Sequence, residues 1–322
     1  MKICVLGSGA YGSALAVILN ENKNKVYLWS PIKKEIQTFK ENREPLKLPG
    51  VKLDENIIIT NDIEEATYNA NLIVLAIPTA YVRSTIKKIK NYIKDKPICI
   101  ASKGIEQETC AFVNEIILEE LNSNNIAIIS GPSFAIDVAN KVPVGLTLAC
   151  KSKETTELVY NAFSNSHFKL RICSDIIGTE ICGAIKNVIA IAAGMLKGMN
   201  MPESTSAMLI TESVHDIKDL IKGLGGDGDT ISSFAGFGDL LLTATSTKSR
   251  NFSFGILIGS GASKEEIKSY IENTTIEGLY TLTSIKKLLV SINTQMPIVE
   301  LLYSIIYEDK KPKDLIKFLI KK

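Results

Sequence analysis

Arginine is scarce in this chain: among 37 basic residues, Arg43, Arg83, Arg171 and Arg250 are the guanidinium carriers. Histidine is scarcer, with His167 and His215 far apart, which argues against a histidine-built metal site. The six cysteines, at 4, 99, 110, 150, 173 and 182, include no CxxC pair, and four lie in apolar runs. They read as reduced, buried thiols and not as a disulfide framework or a zinc site. No sign of charge dominates: 37 Lys+Arg against 35 Asp+Glu leaves +2, so no global field points to nucleic acid or a membrane surface. The amino terminus lacks a basic stretch followed by a cleavable apolar segment. No uninterrupted apolar run suits a bilayer span, because Ile185–Leu196 carries Lys186 and Asn187. Internal repeats and low-complexity tracts are missing as well. These absences leave a cytoplasmic protein whose 322 residues suit about two domains.

What is present draws attention first to Lys186. From Ile181 to Met195 (ICGAIKNVIAIAAGM) it and Asn187 are the strongly polar side chains. An unpaired buried ammonium costs several kcal/mol or gives up its proton. Lys186 therefore needs a carboxylate or ligand partner, or a cavity in which a proton moves.

The first half alternates short β-branched runs with amphipathic stretches. Strands are predicted at Lys2–Leu6, Val26–Trp29, Ile57–Thr60, Leu72–Ile77, Ile98–Ala101, Ile126–Ser130, Val144–Cys150 and Phe168–Ile172. Helices are predicted between them at Ala10–Glu21, Thr79–Tyr92, Thr109–Leu121 and Lys153–Phe163. Such alternation implies right-handed crossovers and a mostly parallel, doubly wound α/β sheet of the Rossmann type. Beyond Ser174 the pattern is helical, with candidates at Ile176–Lys197, Ser204–Leu224, Glu265–Tyr270, Gly278–Ser291 and Ile298–Tyr307. The expected domains are thus 1–173, α/β, and 174–322, all-helical.

Gly7-Ser8-Gly9-Ala10-Tyr11-Gly12 follows a strand and opens a helix. In this GxGxxG pattern the first glycine serves a tight turn, the second a close approach to a pyrophosphate, and the third helix–strand packing. The helix start adds unpaired N–H groups and a positive dipole end. An NAD site ordinarily has an acid at the end of the second strand, for the ribose 2′-hydroxyl. Here Trp29-Ser30-Pro31 offers none, and Lys33-Lys34 follows. That points toward NADPH or tolerance of both cofactors; a solvated helix start is the alternative reading of the lysines. Lys103 in Ser102-Lys103-Gly104, and Ser130-Gly131-Pro132-Ser133-Phe134-Ala135, each follow strand ends, which line the ligand crevice in open α/β sheets. Plain solvated turns are the alternative.

In the helical half, Gly236-Phe237-Gly238-Asp239 leads into the run LLLTAT, so Asp239 either caps a helix or pairs with Lys186. Ser249-Arg250-Asn251 sets a hydroxyl, a guanidinium and an amide in succession, a set suited to a phosphate. A solvated loop is the alternative there.

Taken together, GSGAYGSALA, LPG at 48–50, SKGIE, SGPSFA, GTEICGAIKNVIAIAAG, FAGFGDLLLT, SRN and IEG at 276–278 closely resemble the bacterial NAD(P)-dependent glycerol-3-phosphate dehydrogenases. The blocks run in family order from Gly7 to Gly278. The resemblance implies a Rossmann domain plus a helical domain, a homodimer, and interconversion of dihydroxyacetone phosphate and sn-glycerol 3-phosphate for glycerophospholipid synthesis. It makes Lys186 the catalytic lysine and gives the substrate to Lys103, Gly131, Ser133, Lys186, Asp239, Ser249, Arg250 and Asn251. It gives NAD(P)H to Gly7, Ser8, Gly9, Ala10, Tyr11, Gly12, Lys103, Ala135, Arg250 and Glu277. In the reducing direction a Lys186 ammonium would stabilise the developing alkoxide and donate its proton; in reverse, the neutral amine would accept it. Burial would lower the lysine's pKa and Asp239 would raise it.

The chain departs from the family at Tyr11 (frequently tryptophan), Ala10 (commonly serine), Ser30-Pro31 (often basic), Lys47 (usually tyrosine) and Glu212 (typically arginine). Two other functions compete. One is a related β-hydroxyacid or 6-phosphogluconate-type dehydrogenase, against which the SGPSFA and GDLLLT…SRN blocks argue. The other is a non-catalytic dinucleotide-binding redox sensor, which would have no need of Lys103, Lys186, Asp239 and Arg250 together.

Overall fold

The computed structural model describes residues 1–93 and 95–321; Lys322, the end of the span read as helical, lies outside them. Two compact units form, one from Met1–Lys103 with Val113–Ile176, the other from Gly104–Phe112 with Ile177–Lys322.

The first unit is built on eight strands: β1 (Lys2–Leu6), β2 (Lys25–Trp29), β3 (Ile58–Thr60), β4 (Leu72–Leu75), β5 (Ile98–Ile100), β6 (Ile126–Ser130), β7 (Val144–Cys150) and β8 (Phe168–Cys173). Their order is β3-β2-β1-β4-β5-β6-β7-β8. The pairs from β3 through β6 are parallel, β7 runs antiparallel to β6, and β8 is parallel to β7. Inner strands covered on both faces need unbroken apolar runs, and Ile3, Cys4, Val5 and Leu6 are completely buried. The mostly parallel sheet matches the expectation from sequence, and strand ends differ from it by no more than two residues. Because β1 lies between β2 and β4, the chain reverses direction across the sheet there. The turn after β1 opens at that switch point, where α/β folds take their ligands.

Among the described residues seven α-helices accompany the sheet: α1 (Ala10–Glu21), α2 (Lys33–Asn42), α3 (Ile63–Thr67), α4 (Val82–Ile93), α5 (Val113–Leu121), α6 (Ala135–Ala139) and α7 (Lys153–Phe163). Two predicted helices need correction. The segment from Thr79 starts as a tight 3-10 turn over Thr79–Tyr81 before α4. The one predicted from Thr109 begins only at Val113, because Ile105 and Phe112 form an isolated antiparallel bridge and join the apolar core of the second unit.

The second unit contains α8 (Ile176–Gly198), α9 (Glu203–Gly223), α10 (Asp239–Thr245), α11 (Arg250–Gly259), α12 (Lys264–Asn273), α13 (Glu277–Ser291), α14 (Pro297–Tyr307) and α15 (Asp314–Lys321). Among the described residues α8 is the one helix long and apolar enough to cross a membrane, yet 89% of its most apolar window is buried inside the protein. It is the core helix of this unit. Its partner α11 approaches with backbone against backbone. A Cβ on Gly194 would lie 2.0 Å from the Phe252 carbonyl oxygen, and one on Gly198 2.3 Å from that of Ile256. Reciprocally, a Cβ on Gly255 or Gly259 would lie 2.1 Å from the carbonyl oxygens of Ile191 and Met195. Four glycines, two per helix, therefore set the crossing.

Candidate functional site

In the first unit, Gly7 leaves β1 with φ +118, a conformation that disfavours side chains, and a Cβ there would press on the Ala76 carbonyl oxygen at 2.4 Å. A Cβ on Gly12 would fall 1.9 Å from the Gly7 carbonyl oxygen, so turn and helix need both glycines. Gly9 is different. Its φ of −63 suits any residue, and a Cβ there would meet no protein atom within 4 Å. Nothing in the fold asks for glycine at 9, whereas a ligand lying on the backbone would. Gly9 also occupies the N-cap of α1 without any side-chain cap. The start of α1 is thus left without a side-chain cap at Gly9, the arrangement expected of a pyrophosphate cradle.

Tyr11, on the first turn of α1, lies 3.0 Å from Ser133 Oγ. Ser133 donates to the Gly131 carbonyl at 2.9 Å, which makes the Tyr11 phenol the donor to Ser133. Lys103 Nζ is 5.9 Å from the centre of the Tyr11 ring, close enough for a cation–π contact. Gly131 packs against β7, where a Cβ would come within 2.6 Å of the Gly145 carbonyl oxygen. Ala135 opens the short helix α6. Lys103, Gly131, Ser133 and Tyr11, from three separate segments, therefore gather in one place.

The end of β2 carries no acid, but the next helix places one beside it. Glu35, in the first turn of α2, is 7% exposed, and its Oε2 accepts from both Ser8 and Ser30 hydroxyls at 2.8 Å. Its Oε1 pairs with Lys47 Nζ at 3.4 Å. Sequence reasoning missed Glu35 because it looked for the acid on the strand end itself. The available signal was the pair Ile36 and Phe39, which buries one face of a highly charged helix and carries Glu35 in beside it.

In the second unit Lys186 is 8% exposed and donates to Asp239 Oδ1 at 2.6 Å and to Thr243 Oγ1 at 3.1 Å. Of the two readings of Asp239, pairing is the one observed. The carboxylate is brought inward by a kink: Phe234–Gly238 winds as a wide π turn, and Gly236 departs from helical geometry with ψ −106. Such turns recur at functional sites. A Cβ on Gly236 would fall 2.2 Å from the Ile231 carbonyl oxygen, which accounts for that glycine. Thr243, absent from the sequence prediction, is four residues after Asp239 on one helix face, and that spacing is the signal that could have found it.

Next to Lys186, Asn187 starts a chain of side-chain amides. Its Oδ1 accepts from Asn251 Nδ2 at 3.0 Å, and Asn251 Oδ1 accepts from the Gly278 N–H at 2.9 Å. Asn187 Nδ2 also reaches Glu277 Oε2 at 3.5 Å. Any side chain at 278 would collide with both Asn187 and Asn251. Ser249, read as part of a solvated loop in one alternative, is the N-cap of α11 and accepts from the Phe252 N–H at 3.3 Å. Arg250 is exposed at the first position of that helix. Lys186, Asp239 and Thr243 thus form one cluster, and Asn187, Asn251, Glu277 and Gly278 a second that shares α8 with it. Among the described residues no group of His, Cys, Asp and Glu is arranged to hold a metal ion.

Comparison with known proteins adds to this geometry. A family model described as the N-terminus of NAD-dependent glycerol-3-phosphate dehydrogenase matches residues 2–156, and the corresponding C-terminal model matches 175–317. The chain belongs to the NAD-dependent glycerol-3-phosphate dehydrogenase family. Curated family members agree along their whole length. A glycerol-3-phosphate dehydrogenase [NAD(P)+] of Fusobacterium nucleatum is 37% identical over 99% of this chain and 96% of its own. One from a Wolbachia of Drosophila simulans is 38% identical over 99% of this chain and 100% of its own. The crystal structure of glycerol-3-phosphate dehydrogenase from Coxiella burnetii superposes with a TM-score of 0.94 at 29% identity, covering 99% of this chain and 98% of that one.

Proposed function

We infer that this chain is an oxidoreductase that interconverts dihydroxyacetone phosphate and sn-glycerol 3-phosphate with NAD(P) as cofactor, and so serves lipid metabolism. The observation carrying this reading is that both halves of the chain match the two halves of one dehydrogenase family. The buried Lys186–Asp239 pair, a proton-transfer group built into an apolar helix, supports it.

The first unit would hold the dinucleotide over Gly7–Gly12, with α1 offering its N–H groups to the pyrophosphate. When bound, the cofactor supplies the reducing equivalent. Lys186 would face the substrate oxygen as an ammonium during reduction, opposing the negative charge that develops there and passing on its proton. Asp239 and Thr243 would fix the amine's position and favour its charged form until the proton leaves. Arg250, with Asn251 and Ser249 beside it, would receive the substrate phosphate, a group that a guanidinium grips through two oxygens. Lys103 and Ser133 would complete the substrate contacts, and Ala135 and Glu277 those of the cofactor. The Glu277–Asn187–Asn251 chain supports the second part by holding the start of α11 to α8. A homodimer in the cytoplasm is the assembly and location this reading carries; light scattering and fractionation test them.

The decisive assay mixes purified protein, dihydroxyacetone phosphate and NADH or NADPH, and follows the loss of reduced-cofactor absorbance. Turnover is expected, and its absence with both cofactors would overturn the reading. Turnover with a sugar acid alone would favour a 6-phosphogluconate-type enzyme. Lys186→Met should abolish turnover while cofactor affinity changes by less than about twofold, since a methionine fills most of the lysine's space and carries no proton to transfer. Wild-type turnover in that variant would remove Lys186 from the reaction.

A further inference from the structure

The cofactor's phosphate state is the choice that this chain's own residues address. Resting on the dinucleotide reading above, we propose that Glu35 is a specificity residue that rejects a 2′-phosphate, so that NADH and not NADPH is the preferred cofactor.

Ser8 belongs to the glycine-rich turn and Ser30 is the first residue after β2. In a doubly wound fold the adenosine ribose is read between these two segments. Both serines donate their hydroxyl protons to one oxygen of Glu35, at 2.8 Å each. That has two consequences. A carboxylate charge lies directly behind the turn, and the two hydroxyls present oxygen lone pairs to anything that approaches them. Ser30 spends one lone pair on the Ile32 N–H. A ribose 2′-hydroxyl, which can donate, suits such surroundings; a 2′-phosphate, which brings nearly two negative charges and acceptors alone, does not.

The nearby cations do not reverse this. Lys47, closest to Glu35, is committed to its Oε1 at 3.4 Å. Its side chain is 63% exposed, so its own field is screened by water and salt. Lys33 and Lys34 are exposed on the solvent side of α2, whereas Glu35 is buried on the inner side. The sequence-based leaning toward NADPH rested on those two lysines and on the lack of an acid at the end of β2. The buried carboxylate outweighs them because a charge in a low-dielectric position acts more strongly than one in water.

The test is binding, not turnover. Trp29, the single tryptophan, ends β2 immediately before Ser30 and reports cofactor binding through its fluorescence. Wild type should bind NADH on the order of 10- to 100-fold more tightly than NADPH. Glu35→Gln should narrow that ratio by about tenfold, while Glu35→Asp, which keeps the charge, should preserve it. A wild type that binds NADPH as tightly as NADH overturns the proposal, and so does a Glu35→Gln protein with an unchanged ratio. Should Glu35→Gln fail to fold by circular dichroism, wild type alone still decides. Repulsion by Glu35 means that salt improves the affinity of adenosine 2′,5′-bisphosphate relative to 5′-AMP. A relative loss with salt would show that cations recognise the phosphate and would overturn the proposal. Binding of neither dinucleotide would overturn the dinucleotide reading itself, a failure distinct from equal binding of both.

Discussion

Breaking the Lys186–Asp239 pair from either side should destabilise the helical unit strongly, and removing both partners should not. At 2.6 Å and an effective dielectric of about 20, the attraction is on the order of 6 kcal/mol. Desolvation of each ion costs several kcal/mol, so the intact pair contributes little net stability. The asymmetry appears on mutation. Asp239→Ala leaves an ammonium on a side chain only 10% exposed, with Thr243 as its remaining neighbour in the cluster, at a cost of about 3–5 kcal/mol. Lys186→Met removes the counter-charge of a carboxylate on a side chain 2% exposed, to which Thr243 Oγ1 still donates at 3.4 Å, with a similar cost at neutral pH. That second cost should shrink on acidification, because the carboxyl that has lost its ammonium takes up a proton. The double variant K186M/D239L carries neither charge of the pair and should lie within about 1–2 kcal/mol of wild type. The assay is urea unfolding of all four proteins, followed by far-ultraviolet circular dichroism for the helices and by Trp29 fluorescence for the sheet unit. Reading both signals keeps the two units' transitions apart. Single variants costing less than about 1 kcal/mol, as an exposed pair would, refute the reasoning. So does a double variant as unstable as the two losses combined.

Gly9→Ala should leave the urea midpoint unchanged, since its Cβ meets no protein atom, yet weaken dinucleotide binding measured by calorimetry; unaltered affinity would remove the turn from the cofactor site. Gly194→Ala should cost about 1–3 kcal/mol in urea unfolding despite alanine's higher helix propensity, because its Cβ would fall 2.0 Å from the Phe252 carbonyl oxygen. A stabilised variant would contradict the close crossing. Burial pushes the Cys4 thiol up to about 12 from an ordinary value of 9.0, partly offset by Lys2 and Lys96. The folded state then keeps a proton that the unfolded chain releases above about pH 9, so stability should fall with rising pH from about 9 to 12. Cys4→Ala should flatten that slope above about pH 9, and an equal slope in both proteins would dismiss the thiol as its source.

The parallel strands were legible because strands covered on both faces must be apolar, and β4 and β5 are apolar throughout while β1 and β6 carry one polar residue each, at an end. Helix α11 was not legible. Its opening Arg250-Asn251 is polar and its interior holds Gly255 and Gly259, which lower helix propensity; it is packing on the glycines of α8 that makes it a helix. α2 was hidden by its charge, and with it Glu35. The anomaly of Lys186 was visible in sequence, as was Asp239 as a candidate partner, because a charge in an apolar run demands one. Thr243 and the Asn187–Asn251 amide link depend on which helix faces meet, and only the fold decides that.

The glycine crossing also bears on how this chain is made. α8 leaves the ribosome with the hydropathy of a membrane segment, and its partner α11 follows only after α9 and α10 have been synthesised. At about 5–20 residues per second this leaves the glycine face of α8 uncovered for several seconds. The backbone ridges that fit so closely in the finished protein are thus its most vulnerable surface at birth. A circular permutant that produces α11 first would shorten that interval.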